Sequence, residues 1–530
     1  MPKLLIEIIT EILNYVEEDD INTLHSIILI NKDWCQVGIS YLWEKSFNNV
    51  KYPFKNFYKI ISIILFYLDE KQKNIFKIKD NRIGIPTKIL FDYSYFIKQI
   101  DFNKLLNLIK IWLNNNKLFR PNLEKNHFIN NNDYFIYNYS INYSIEVQEM
   151  LAFFESIFYI IIKRSKGIEN LFIDINKTFF IPNDYFGILF NGIKEDNNRS
   201  LIGLKELICD GNFHKASIID KIKECSHEII HLKIYPWESS IYLTWNDDLK
   251  SRNIKELLQV QKCLKSLTYS TVSNFGRDTI KGLQGMIEDS LEIIKIHGDI
   301  ITNDELKYLK KCKKLKKLSF MLIDFNFPIN ILSNILYPEL EVIEFTCCEF
   351  TIDALENMKL FIKNNGKNLK EFQLNQDPSG IPGILLSVSE NCYNLVNIFV
   401  NIRNRNNMLI LLKIMSQCKN LQKIHVGYDG KPKFLADPFM NEFTQLCSSN
   451  LLELNLSNWR ISLDIFETVL EKCVTFLKVL KISCDGDIKD LEIMVQIFSE
   501  LHGRILKDFR IQEDEYDFDK LKLVEMTWLV

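Results

Sequence analysis

Apolar residues return along the last two thirds of the chain in the spacing L-x-x-L-x-L. The last two positions of this triplet lie two residues apart, so they share one face of a β-strand and predict a short strand with a buried apolar pair. From Leu264 onward, successive copies are 24 to 30 residues apart, a regularity that chance matches do not produce. We count thirteen copies, whose first residues are Ile168, Leu204, Ile229, Leu264, Leu291, Leu315, Leu340, Leu369, Leu395, Leu421, Leu451, Leu477 and Leu506.

Apolar residues at helical spacing precede many of these triplets, so each unit is predicted to be a strand and a helix. A single unit cannot cover its own apolar face. Neighbouring units are therefore expected to stack into an α/β solenoid over residues 161–530, with one parallel inner sheet and outer helices. The alternative is an unrelated α/β fold in which several triplets are accidental. Two examples of the helical spacing are Leu306, Leu309 and Cys312, and Ile465, Val469, Leu470 and Cys473.

This arrangement resembles the leucine-rich-repeat family in its longer, cysteine-containing form. The family's Asn or Cys just after the strand is mostly missing here, although Cys348 fits that position. The subclass is indicated by a cysteine that recurs three or four residues before the triplet, at Cys225, Cys312, Cys392, Cys418, Cys447 and Cys473.

The first 47 residues predict a separate module of three short helices. Leu5, Ile8, Ile12, Leu13 and Val16 recur at helical spacing in the first helix, which residues 17–20 are expected to end. Asp20 is a candidate cap for the second helix, and Asp33 for the third, because Asp is a favoured residue at helix starts.

This module resembles an F-box, in which a leucine-rich helix and an acidic turn precede a V-N-x-x-W-like element and a terminal Leu-Trp. Ile30, Asn31, Trp34, Leu42 and Trp43 match that pattern. One departure is Ile6, which stands where the family has a proline before its glutamate, here Glu7. The resemblance implies docking on a Skp-type adaptor through Leu5, Glu7, Ile8, Ile12, Leu13, Leu24, Ile30, Trp34, Leu42 and Trp43. The alternative is a plain helical cap whose two tryptophans fill the first repeat.

Between the module and the repeats, residues 48–160 predict a helical linker region with scattered aromatic residues such as Tyr93 and Phe96. An Asn-rich and Tyr-rich stretch without periodicity, about residues 114–144, is expected to be an exposed loop.

The inner sheet is the predicted binding surface for a target protein. Strand positions that flank the buried apolar pairs combine one aromatic residue with both signs of charge and with amides, a mixture that suits a polar protein ligand. The alternative is that these are ordinary solvated strand residues. The candidates are Glu371, Gln373, Asn397, Phe399, Lys423, His425, Glu453 and Asn455.

His227, Glu228 and His231 spell H-E-x-x-H, which in zinc peptidases places two metal-binding imidazoles one helical turn apart. Here the motif overlaps the triplet at Ile229, which puts His231 on a strand and argues against a zinc site. Phosphate-binding glycine loops, paired C-x-x-C motifs and nucleophile elbows do not occur in the sequence, so we expect no catalysis and no cofactor.

Charge and composition limit the kinds of partner and the cellular compartment that we expect for this chain. The 65 Lys and Arg nearly balance the 68 Asp and Glu, so bulk electrostatics do not predict a nucleic-acid partner. The longest uncharged apolar run, Ile60 to Leu68, is too short to span a membrane. Twelve scattered cysteines suggest core residues in a reducing compartment, the cytoplasm or nucleus.

A local lysine cluster is interpreted as the solvated side of a helix rather than a nuclear-import or nucleic-acid patch: Lys307, Lys310, Lys311, Lys313, Lys314, Lys316 and Lys317.

The pairing of the two resemblances implies a non-enzymatic, substrate-recruiting adaptor of an SCF-type ubiquitin ligase, with a Skp-type adaptor, a cullin and a target protein as partners. The alternative is a ubiquitin-independent interaction scaffold with leucine-rich repeats. A zinc metallopeptidase is a distant third possibility.

Overall fold

The chain divides into two compact units, Met1–Lys265 and Ser266–Val530. The computed structural model describes residues 5–16, 20–44, 59–70, 73, 85–86, 88–115, 145–174, 200–210, 217–235, 247–270, 283, 289–298, 300–301, 303–325, 331–375, 381–402, 405–428, 437–447, 449–473, 476–484, 488–503, 505–513 and 522–528. Most of the predicted loop, residues 116–144, and the predicted end of the first helix at 17–19 lie outside these ranges.

The first unit opens with three helices and continues into strands and helices. Its four described strands lie side by side in chain order, and every neighbouring pair is parallel. A 3₁₀ helix at Tyr93–Phe96 precedes the first strand. The elements are α1 (Ile6–Asn14), α2 (Ile21–Ile27), α3 (Lys32–Glu44), α4 (Lys59–Leu65), β1 (Gln99–Asp101), α5 (Phe102–Asn115), α6 (Ile145–Arg164), β2 (Asn170–Asp174), β3 (Glu206–Asp210), α7 (Ser217–Cys225), β4 (His231–Tyr235) and α8 (Asp247–Val260).

The second unit repeats strand and helix until its last two strands. Its elements are β5 (Ser266–Ser270), β6 (Ile293–His297), α9 (Asn303–Leu309), β7 (Lys317–Met321), β8 (Asp324–Phe325), β9 (Val342–Thr346), β10 (Glu349–Phe350), α10 (Ile352–Asn365), β11 (Glu371–Asn375), α11 (Ile381–Asn391), β12 (Asn397–Ile402), α12 (Arg405–Gln417), β13 (Lys423–Tyr428), α13 (Asp437–Leu446), β14 (Glu453–Ile461), α14 (Leu463–Cys473), β15 (Val479–Cys484), α15 (Ile488–Leu501), β16 (Leu506–Glu513) and β17 (Lys522–Trp528).

The order of strands in this unit follows the chain through β15, in parallel pairs. The short strands β8 and β10 form a separate parallel pair. After β15 the order reverses, because β17 pairs antiparallel with β15, and β16 pairs antiparallel with β17. Both units are thus α/β, with mostly parallel strands and flanking helices, an arrangement compatible with a solenoid-like fold.

Twelve of the thirteen apolar triplets form the predicted strands. In each of the twelve, the first residue is buried and the strand begins two residues later. Phe372 and Leu374 of β11, for example, are fully buried, whereas Glu371 and Gln373 on the opposite face are half-buried. This alternation places the apolar pairs in the core, between the strands and the helices.

The last triplet and the start of the sheet differ from the sequence prediction. Leu506 opens β16, which is antiparallel, because β17 occupies the place beside β15 that a further parallel strand would take. In the first unit, Ile97, Ile100 and Phe102 have the same triplet spacing and are fully buried, and Ile100 lies in β1. The first paired strand therefore lies within residues 48–160, the predicted linker.

The three-helix module has a small core of its own, formed by Ile9, Leu13, Leu24 and Val37. Asp20 caps α2 as predicted, since its carboxylate accepts a hydrogen bond from the Thr23 amide at 3.0 Å. The prediction that Asp33 caps α3 is wrong. The cap is Asn31, whose Oδ1 accepts from the amides of residues 33 and 34 at 3.0 and 3.1 Å, and Asp33 lies in the first turn.

One buried position joins successive repeats, and we call it the donor position. It lies three or four residues before a triplet, where its side chain donates a hydrogen bond to a backbone carbonyl of the preceding repeat. Ser165 Oγ donates to the Ile97 carbonyl at 2.6 Å, and Cys418 Sγ donates to the Cys392 carbonyl at 3.0 Å. Of the predicted cysteines, Cys418 fills this position, whereas Cys225 donates within its own helix, to the Lys221 carbonyl at 3.0 Å. Serine or an amide fills it elsewhere, at Ser200, Ser226, Gln261 and Asn365.

Candidate protein-binding surfaces

The outer side of α1 exposes a stripe of large apolar residues, which we call the α1 stripe. Leu5 is 66% exposed, Ile8 44%, Ile12 42% and Tyr15 82%. Their spacing of three, four and three residues keeps all four on one side of the helix, next to the side that Ile9 and Leu13 bury in the module's core. In water such a row of uncovered apolar side chains is unfavourable, so the α1 stripe is a candidate surface for a partner.

The remaining residues predicted to bind the adaptor have different surroundings. Ile30 and Glu7 are exposed. Trp34 and Leu42 are half-buried and pack against the module's core. The structure buries the others inside the chain, at Leu13, Leu24 and Trp43. These three can influence docking only by holding the module in shape.

Trp43 and Glu44 attach the module to the first strand. The ring of Trp43 lies 4.6 Å from that of Tyr93, centroid to centroid. The Glu44 carbonyl accepts a hydrogen bond from the Lys98 amide at 3.1 Å, and the Lys98 ammonium lies 3.2 Å from the Glu44 carboxylate. This attachment gives the α1 stripe a fixed position relative to β1.

Charges continue from this attachment along the strand starts. Lys98 also lies 3.5 Å from Glu169, and Lys205 lies 2.7 Å from the same carboxylate. Burial by itself would raise the pKa of Glu169, but hydrogen bonds and the positive charges of Lys205 and Lys98 outweigh burial and lower that pKa. The Glu169 carboxylate therefore links Lys98, which attaches the module, to Lys205, which lies just before β3.

All eight residues predicted to bind a target lie together on β11 to β14. Strand pairing aligns them in two rows on the face opposite the apolar pairs. The structure thus brings every one of these candidates onto one continuous surface, which we call the strand face. The first row is Glu371, Asn397, Lys423 and Glu453, and the second row is Gln373, Phe399, His425 and Asn455.

Side chains of the strand face contact one another across the strands. Asn397 Nδ2 donates to the Glu371 carboxylate at 2.8 Å. The Glu453 carboxylate lies 2.7 Å from His425 Nε2 and 3.0 Å from the Lys423 ammonium. The Phe399 ring meets the His425 ring edge-on, with centroids 4.6 Å apart.

The charge state of Glu453 follows from these contacts. Burial would raise its pKa, but the hydrogen bonds from Lys423 and His425 outweigh burial and hold the pKa below its usual value. Glu453 is therefore ionised at neutral pH and orients the imidazole that meets Phe399.

Paired charges extend beyond the predicted residues. On the same rows, Lys317 of β7 pairs with Glu344 of β9, and Lys481 of β15 lies 2.9 Å from Glu525 of β17. These residues were not among the predicted candidates, although Lys317, Glu344 and Lys481 occupy the same offsets from their triplets as the eight candidates. The face is consequently a polar surface whose described ion pairs neutralise each other, with Phe399 as its aromatic element.

The two histidines of H-E-x-x-H do not share a helix. His227 lies between α7 and β4, with Nε2 3.1 Å from the Lys223 carbonyl oxygen, and His231 is the first residue of β4, as predicted. The helical turn that a zinc peptidase needs is therefore missing at this motif. Across the ranges that the structure describes, no three His, Cys, Asp or Glu side chains are placed to hold a metal ion.

Only Lys307 of the lysine cluster lies in α9; Lys317 begins β7, and the other five lie in the turn between them. Six of the seven are exposed and Lys317 is half-buried, while Leu306, Leu309, Cys312 and Leu315 on the opposite side are buried. Lys316 also pairs with Glu292 at 2.8 Å.

In the described part of the chain, no helix combines the length and apolar character needed to cross a bilayer.

No protein-family model and no curated protein matches this chain.

Proposed function

We propose that this protein is a substrate-recruiting adaptor of an SCF-type ubiquitin ligase. In this proposal the amino-terminal module is an F-box that docks on a Skp-type adaptor and thereby on a cullin. The strand and helix units are leucine-rich repeats, and their strand face holds a target protein. Transfer of ubiquitin then depends on proximity to the partners' transferase rather than on side chains of this chain.

The α1 stripe is the observation that carries the proposal. A helix that presents apolar residues at spacings of three and four is the form in which helices dock into apolar grooves. Four large side chains are enough to supply the few anchors that dominate a typical interface. The same module matches the F-box pattern at Ile30, Asn31, Trp34, Leu42 and Trp43.

The strand face supports the other half of the proposal. Because its described ion pairs neutralise each other, it does not attract phosphate or nucleic acid by net charge. Its polar groups and the half-buried Phe399 suit a folded or extended polypeptide that offers amides and one apolar side chain. The attachment through Trp43 and Lys98 holds the docking helix in a set position relative to β1.

Affinity purification of the full chain tests the proposal. The wild type should recover a Skp-type adaptor and a cullin, and Ile8→Glu with Ile12→Glu should reduce recovery at least about tenfold. Leu409→Glu is the matched control, because Leu409 on α12 is also about half exposed. Trp34→Ala is a poorer probe, since Trp34 packs on the module's core and its loss would also disturb folding. Failure of the folded wild type to recover either partner would overturn the assignment.

A second candidate, a repeat scaffold that works without ubiquitin, is favoured by Ile6. The first helical position of α1 holds this residue, where a proline would preset the backbone angle φ for the helix. The cap residue Leu5 also makes no side-chain cap hydrogen bond. Under this scaffold function, the same purification recovers other proteins through the strand face, and the α1 variants leave that recovery unchanged.

A further inference from the structure

Glu371 differs from the other charged residues of the strand face because it forms no ion pair with a described residue. Its partner is the neutral amide of Asn397, whose Nδ2 donates to Glu371 Oε2 at 2.8 Å. Lys423, His425 and Glu453, in contrast, contact one another. The strand face therefore carries one negative charge that the described part of the chain does not neutralise.

Lysines on the same side of the neighbouring strands are committed elsewhere or lie too far away. Lys317 on β7 pairs with a glutamate of β9, and the Lys423 ammonium lies 3.0 Å from Glu453. Lys295 on β6 is exposed, but three strand spacings, roughly 14 Å, separate β6 from β11. The Glu371 carboxylate is thus available to a cation from a partner.

Strand register places three other side chains around this carboxylate. β11 and β12 pair so that Glu371 lies beside Asn397, and Gln373 lies beside Phe399. These four residues, which we call the β11–β12 cluster, are all half-buried and start from the corners of a rectangle. Its sides are about 5 Å between the strands and about 7 Å along each strand. One ligand side chain can therefore reach all four.

The free groups of the β11–β12 cluster match those of an arginine side chain. Asn397 engages Oε2 of Glu371, and among the described residues nothing donates to Glu371 Oε1 or to the Gln373 side-chain carbonyl. A guanidinium carries several N–H donors in one plane, so it can serve two acceptors at once and stack on an aromatic ring. Phe399, which His425 contacts from β13, supplies such a ring beside the carboxylate.

We propose that the β11–β12 cluster binds an arginine side chain of the target. The guanidinium pairs with Glu371 and donates to Gln373, and its apolar stem and its plane lie against Phe399. Lysine is a poorer ligand, because its ammonium is a point charge that does not present a planar fork to two acceptors. This inference rests on the proposed function, which makes the strand face the surface for the target.

Peptides selected from a random display library test the arginine site. The library is first depleted on Glu371→Lys, which removes peptides that bind elsewhere, and is then selected on the full-length wild type. The surviving peptides should share an arginine. Its replacement by citrulline, which is neutral and has nearly the same shape, should raise the dissociation constant at least about tenfold. Its replacement by lysine should raise the constant at least about threefold.

Variants of the chain test the individual groups with the same peptide. Glu371→Gln keeps an acceptor for Asn397 and should weaken the arginine peptide at least about tenfold, with little change for the citrulline peptide. Phe399→Leu should weaken the arginine peptide about two- to fivefold. Glu442→Gln, at an exposed site on α13, is the matched control and should leave binding unchanged. Circular dichroism of each variant checks that the fold is kept.

The arginine site and the ligase proposal can fail separately, because the peptide test does not involve the amino-terminal module. A selection that yields no arginine peptide, equal binding of the arginine and citrulline peptides, or equal binding by the wild type and Glu371→Gln would each overturn the arginine site. Arginine-dependent binding by a chain that recovers no Skp-type adaptor would support the arginine site and contradict the ligase proposal alone.

Discussion

Asn31 shows how one side chain sets the start of a helix. Its Oδ1 accepts from the amides of Asp33 and Trp34, two of the N–H groups at a helix start that have no partner within the helix. Asn and Asp are equally good caps, so composition favours neither Asn31 nor Asp33. The choice depends on the residue at which the helix begins, and the apolar pattern does not define that residue to within one position.

Asn31→Ala should loosen α3. Loss of a capping side chain costs about 1 kcal/mol, which corresponds to an approximately fivefold faster amide exchange in α3 if the module opens locally. Asn31→Asp keeps the acceptor and should leave exchange nearly unchanged. Hydrogen exchange followed by mass spectrometry measures both variants. Equal protection in Asn31→Ala and the wild type would show that the cap does not hold the helix.

Glu453 should make the strand face sensitive to acid. Its pKa is lower in the folded chain than its unperturbed value of about 4.3, so its contribution to stability is present above that value and is lost as the pH falls through the lower, folded pKa. The urea midpoint of Glu453→Gln should lie below that of the wild type at neutral pH. The two midpoints should converge on acidification. A difference between the midpoints that is the same at neutral and at acidic pH would contradict the ion-pair account.

At the scale of elements, the donor position joins several repeats to the one before them. Asn365, the last residue of α10, accepts from the Tyr337 amide at 2.7 Å and donates to the Ile335 carbonyl at 2.9 Å. Gln261 does the same after α8, accepting from the Ile229 amide at 3.0 Å. The recurring cysteine in the sequence indicated this position only at Cys418. Serine and amides escaped notice because their shared role is a hydrogen bond to a distant turn, which composition does not reveal.

Asn365→Leu tests the donor position. The variant keeps the side chain's approximate volume but leaves a buried N–H and a buried carbonyl without their partner, at a cost of about 1–3 kcal/mol each. Amides of β9 and β11 should therefore exchange at least about tenfold faster. Asn368→Leu is the control, since Asn368 is exposed and donates one hydrogen bond, to the Pro338 carbonyl. Similar effects of the two variants would refute a special role for the buried amide.

For the whole molecule, regular spacing made most strands predictable. It failed at β1, because Ile97 lies 71 positions before the next triplet at Ile168 and so forms no visible series. It also failed at Leu506, because an antiparallel partner that follows later in the chain decides the pairing of β16. The eight strand-face residues were found from their offsets alone. Their contacts, such as that of His425 with Glu453, depend on the register between neighbouring strands and were not predictable.

The most direct test of the ligase proposal is the affinity of the purified full chain for a purified Skp-type adaptor, measured by titration calorimetry. The account predicts saturable binding by the wild type and by Leu409→Glu, and a dissociation constant at least about tenfold larger for Ile8→Glu with Ile12→Glu. No binding by the folded wild type, or equal binding by all three proteins, would contradict it.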